Sequence, residues 1–106
     1  MRQPWPGDVL DAVAYVTGFD PLDKDRSPRY ISARRLAVAA LREICELSYA
    51  ECARVLGYAD HTTVLHHARG AVDHRLLRAV IDRVSDSMDI EAAEDAQRVS
   101  EARRWT

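Results

Sequence analysis

The chain is expected to be all-α, a compact bundle of about five to six helices that contains a helix-turn-helix. Three observations lead there. Apolar residues recur at three- and four-residue spacing over most of the chain. Glycines are few, four in all, against 47% hydrophobic residues. The segments near 49–57 and 61–72 each carry an N-terminal cap, and a glycine turn separates them.

The first helix is placed at Asp8 to Thr17. Asp8 is its expected cap, Val9, Leu10, Val13 and Val16 supply the helical spacing, and Gly18 ends it. Phe19 to Ser32 reads as a loop broken by Pro21 and Pro28, whose end, Arg26-Ser27-Pro28-Arg29, is a flexible positive arm. A strong helix follows from Ala33 to Glu46 with Ser32 as cap. Leu36, Ala37, Ala40, Leu41 and Ile44 form its apolar stripe, and Arg34, Arg35 and Arg42 lie off it.

Ser48-Tyr49-Ala50-Glu51 matches a capping box, in which serine and glutamate each satisfy the other's backbone N–H. The helix it opens turns Cys52, Ala53, Val55 and Leu56 inward and stops at Gly57, a natural C′ residue. Only Tyr58 and Ala59 separate that glycine from the Asp60 cap of the next helix. Two short helices around such a turn make a helix-turn-helix. The second is expected to run to Ala71 or Val72, weakened by Gly70. Asp73 caps a further helix with Leu76, Leu77, Val80, Ile81 and Val84 on a wide apolar face. Ile90 to about Trp105 is helical by propensity and poor in large apolar residues. Trp5 and Trp105 stand near the two ends, where they could anchor the termini together.

At 106 residues a single domain is expected, with residues 8–78 as its core and 79–106 as an added helical segment. No apolar run approaches the ~20 residues that span a bilayer, and no signal-peptide apolar core stands at the N-terminus, so the cytoplasm is the expected location. Cys45 and Cys52 are expected as buried, reduced thiols on core faces of successive helices. The net charge of −2 argues against a polyanion as partner until its distribution is read. Residues 26–75 hold eight arginines against five acidic groups, whereas 1–25 and 76–106 are both net acidic. The basic segment is the one that carries the two-helix motif.

Within it, Asp60-His61-Thr62-Thr63-Val64-Leu65-His66 is the most informative stretch. Asp60 can accept from the first-turn N–H groups, and His61, Thr62 and Thr63 project from the helix tip. Val64 and Leu65 turn back to the core. A recognition helix meets base edges with such a tip. Threonine methyls and an imidazole edge pack on the thymine methyl, and a carboxylate accepts from cytosine N4. The four histidines and two cysteines lack the spacing of a zinc finger or ribbon, so no metal is expected. Asp60, His61 and Thr62, adjacent at a helix tip, cannot face one another as a catalytic triad does, so no enzyme is expected and no cofactor.

The segment from about Asp8 to Arg78 resembles the C-terminal DNA-binding domain of the bacterial chromosomal replication initiator, DnaA. The resemblance rests on Asp60 through His66, on Ala33-Arg34-Arg35-Leu36-Ala37 with Leu41-Arg42-Glu43-Ile44, and on Ser48-Tyr49-Ala50-Glu51. It implies base contacts in the major groove by Asp60, His61 and Thr62, and a phosphate or base-edge contact by Thr63. It also implies phosphate contacts by Arg34, Arg35 and Arg69. Independently, the N–H groups at the start of the helix at Ser48 and Tyr49 can hold a phosphate. Arg26 or Arg29 falls where the family inserts an arginine into the minor groove.

Departures accompany the likeness. The family usually has a basic residue before the aspartate, where Ala59 stands, and a second basic residue late in the recognition helix, where Gly70 stands. Pro28 disturbs the arm. No Gly-x-x-x-x-Gly-Lys-Ser/Thr loop occurs, so a reader without the family's ATPase motor is expected. The expected function is sequence-specific binding of double-stranded DNA at an A·T-rich, initiator-box-like site, as a small regulator or a replication, phage or mobile-element accessory. A protein-interaction module that keeps the scaffold but has lost DNA affinity is the alternative, motivated by Ala59, Gly70 and the acidic ends. Leu77, Ile81, Val84 and Met88 repeat at roughly three and a half residues and would suit a homodimer seam, although core packing is the simpler reading.

Overall fold

A computed structural model of the chain describes residues 4–88. Five helices and no strand occur among them. They are α1 (Pro6–Thr17), α2 (Pro28–Ile44), α3 (Tyr49–Leu56), α4 (Thr62–Ala68) and α5, helical over 74–88. The expectations for Ile90 to Trp105 lie outside the described residues.

α1 begins two residues earlier than expected because Pro6 takes the first helical position, where its missing N–H costs nothing. Asp8 therefore works from inside the first turn. Its carboxylate accepts the Trp5 N–H at 3.0 Å. α2 differs more. Pro28, expected as a helix breaker, is its first residue, and Ser27 rather than Ser32 stands at the N-cap position. The expected loop shortens accordingly, and Asp20, Asp23 and Asp25 stiffen it by accepting the N–H groups of Leu22, Asp25 and Ser27.

α2 is the central helix, in contact with α1, α3 and α4. Its composition explains this. Ala33, Leu36, Ala37, Val38, Ala40 and Leu41 are all buried, and the three alanines let neighbouring helices approach closely. Around it pack Val9, Leu10, Ala12 and Val13 from α1, Cys52, Ala53 and Leu56 from α3, Val64 from α4, and Val80 and Val84 from α5. Leu41 and Leu56 are fully buried, each contributing about 1.5–3 kcal/mol of apolar transfer. Both cysteines are unpaired, Cys52 buried and Cys45 half-buried, and desolvation raises both thiol pKa values.

Asp73 caps α5 as expected. The Asp73 carboxylate accepts from the Arg75 N–H at 2.8 Å, and its carbonyl from the Leu77 N–H. Its inward face is narrower than the sequence suggests. Val80 and Val84 are buried, Leu77 and Met88 pack against the core, and Leu76 is exposed.

Candidate nucleic-acid interface

α3 ends as its glycine requires. Gly57 has φ 78°, the left-handed conformation that a side chain resists, and Tyr58 N–H reaches back to the Ala53 carbonyl at 2.8 Å. The chain can then turn sharply into α4. Asp60 lies one residue further out than expected, because His61 is the N-cap residue and its carbonyl accepts from Leu65 N–H. The Asp60 carboxylate still closes the turn, accepting Thr62 N–H at 2.7 Å. That bond holds its pKa below the usual value, so the carboxylate is ionised at neutral pH. Asp60, His61, Thr62 and Thr63 are all exposed, gathered at one end of α4. Val64, one residue on, is fully buried, and His67 one turn later is also buried. α4 is shorter than expected, ending at Ala68 with Arg69 as its C-cap.

Behind the tip sits a polar layer. The Lys24 ammonium donates to the Leu56 carbonyl at 2.5 Å and lies 3.7 Å from the centre of the Tyr58 ring. The Tyr58 hydroxyl lies 3.4 Å from His67 Nε2. Arg34, on α2, donates to the carbonyls of Asp23 and Asp25. Burial, and then the positive charge of Arg34, lowers the Lys24 pKa. Burial lowers the His67 pKa as well, reinforced by Arg34, Arg35, His66 and Lys24, so this imidazole is neutral at pH 7. Its Nδ1 is buried and finds no hydrogen-bond partner.

The expected phosphate contacts divide. Arg69 and Thr63 are exposed at opposite ends of α4. Ser48 is exposed, but the capping box is formed. Its hydroxyl accepts Glu51 N–H and its own N–H donates to the Glu51 carboxylate, so neither group is spare for an anion. Tyr49 is half-buried beneath the Arg42 guanidinium, 3.9 Å from its ring centre. Arg34 is a correction. It is only 5% exposed and donates to two loop carbonyls, so it fastens the loop to α2. Arg35 is half-buried in a cleft of about 350 Å³ that Arg42, Tyr49 and Ala68 also line.

The arm is a second correction. Arg29 belongs to the first turn of α2, with its guanidinium 5.8 Å from the Phe19 ring centre, and only Arg26 stays in the loop. Pro28 pre-sets a helical φ, which suits the first position of α2.

Sequence reasoning missed Lys24, Tyr58 and His67. His67 had a signal, since it lies three residues after Val64 and so on the same helix face. Lys24 had none, because its partners are more than thirty residues away.

Residues 7–70, more than half the chain, match the family model of the bacterial DnaA protein helix-turn-helix. The chain belongs to that family. Its two-helix unit is therefore a DnaA-like DNA-binding module, a binding element by type and not a catalytic one. The match ends at Gly70, so it covers α1 to α4 and leaves α5 outside. No solved structure matches the chain. No helix among the described residues is long and apolar enough to cross a membrane.

Proposed function

We propose that this domain binds double-stranded DNA sequence-specifically, with the tip of α4 in the major groove. The observation that carries this is the exposed Asp60-His61-Thr62-Thr63 tip on a helix anchored by buried Val64 and His67. Short side chains on a fixed helix can read base edges because their positions do not vary. Asp60, His61 and Thr62 are the base readers, and Thr63, Arg69 and Arg35 the phosphate contacts. Tyr49 lines the same cleft as Arg35. Arg26 is the better candidate for the minor groove, since Arg29 is held in α2. The family supports an A·T-rich, initiator-box-like site, read by a small regulator or a replication or mobile-element accessory working in the cytoplasm beside the chromosome.

A protein-interaction module is the second reading, favoured by one observation. Arg34 is withdrawn from the surface, so the phosphate clamp is thinner than the sequence promised. A homodimer through α5 is less well supported, because Leu77, Val84 and Met88 pack against the protomer's own core.

Selection from random duplexes, followed by fluorescence anisotropy, tests the proposal. One short asymmetric site, bound at least about a hundredfold tighter than random duplex, is the expected outcome. Equal binding to all duplexes, and none above ~50 mM salt, would leave the interaction module. A palindromic site with doubled mass in light scattering would restore the dimer.

A further inference from the structure

We propose that Gly70 is a positioning residue, whose missing side chain opens the space from which Arg35 clamps a DNA phosphate beside the end of α4. This rests on the DNA-binding reading above. A Cβ placed on Gly70 would fall 2.7 Å from both Cδ and Cζ of Arg35, and closer still to Nε. Real Cβ atoms do not approach other atoms so closely, so any other residue at 70 forces the outer part of the Arg35 side chain to shift from where it lies.

The usual reason for a glycine does not apply. Gly18 and Gly57 have positive φ, whereas Gly70 does not, so its backbone would accept alanine. Space is what this glycine supplies. Arg35 uses that space tightly: its Nε is buried against the end of α4, and the side chain lines the cleft shared with Tyr49 and Ala68. Exposed Arg69 stands immediately before Gly70, which brings a second cation to the same end of α4.

The arrangement accounts for a departure in the sequence. Where relatives are expected to carry a second basic residue late in the recognition helix, after the position of Arg69, this chain has Gly70. Its charge there arrives from α2 instead, carried by Arg35 across the gap that Gly70 leaves. A cation at that place also complements the negative end of the α4 dipole. A guanidinium already held by packing gives up little rotamer freedom when it meets a phosphate.

The test is a double-mutant cycle of the full chain, G70A, R35A and G70A/R35A beside the parent, on the selected duplex from 50 to 200 mM NaCl. G70A and R35A should each bind several-fold more weakly, with the slope of log K against log salt reduced by about 0.9, the signature of one lost phosphate. The double variant should lose no more than either single one. Unchanged binding by G70A, or losses that add, overturns the proposal. A purely structural defect would weaken binding without moving the slope.

Thermal melts of the same four proteins, without DNA, test the packing separately. Alanine at 70 should lower Tm when Arg35 is present. In the R35A background it should leave Tm unchanged or raise it, since nothing remains to collide and alanine restricts the unfolded chain. The same Tm change in both backgrounds overturns the packing. A parent protein with no salt-dependent DNA binding would overturn the DNA-binding reading and the clamp, while the melts would still decide whether Gly70 makes room for Arg35.

Discussion

The Lys24 ammonium reaches the Leu56 carbonyl at 2.5 Å, across thirty-two positions of sequence, and closes the C-terminal end of the first helix of the helix-turn-helix. The same ammonium sits on the Tyr58 ring, at the start of the turn that leads into α4. One side chain of the α1–α2 loop thus ties the end of α3 to the turn before α4. Lys24→Met keeps the apolar stem and removes the charge. It should cost about 1–2 kcal/mol of stability, from one charge-assisted hydrogen bond and one cation–π contact, measured by urea titration. It should also weaken the selected site more than random duplex, since no phosphate contact is removed. Equal weakening of both would show that Lys24 touches DNA itself.

Arg34 behaves in this fold as an internal strap. Arg34→Ala should unfold at lower urea, by about 2–3 kcal/mol, because two charge-assisted bonds to the loop carbonyls vanish together. Arg34→Lys should recover less than half of that loss, as an ammonium cannot span both carbonyls as a planar fork does. Circular dichroism against urea measures both. The salt slope of DNA binding by the folded fraction should be unchanged, which separates a strap from a phosphate contact.

His67 makes stability depend on pH. Its folded-state pKa lies below 6.5 while the unfolded chain keeps the ordinary value, so on acidification the unfolded state takes up the proton first. Its contribution is constant above about pH 7.5 and falls as pH drops through 6.5 toward the folded-state pKa. His67→Leu should flatten that part of the profile. At pH 7.5 it should be neutral or stabilising, because the buried Nδ1 without a partner goes with it. Urea melts from pH 5 to 8 give both readings. An unchanged slope would place the acid sensitivity elsewhere.

Base readers and phosphate contacts should separate by specificity. His61→Ala and Thr62→Val, both at the exposed tip, should each lose about 1–3 kcal/mol on the selected site and almost nothing on random duplex. Arg69→Ala should weaken every duplex alike and lower the salt slope by about one. Anisotropy titrations at two salt concentrations distinguish the two patterns. Uniform losses for His61 and Thr62 would show that they meet the backbone and not the bases.

Local signals determined most of the fold. The capping box at Ser48 and Glu51, the left-handed Gly57, and the apolar spacing of Leu36, Ala37, Ala40 and Leu41 all act within a few residues, and each stands in the structure as expected. The Asp60–His66 tip was legible for the same reason and led to the family. Errors came where one residue supports two local readings. Pro28 breaks a helix or begins one, and only the packing of Ala33 and its neighbours against α1 decides in favour of beginning. Arginines were ambiguous in the same way. Arg34 and Arg35 are adjacent and identical in sequence, yet one turns inward to loop carbonyls and the other lies over Gly70. Those fates depend on partners nine to thirty-five residues away, and chain spacing does not report which cation a distant carbonyl or a missing side chain will receive.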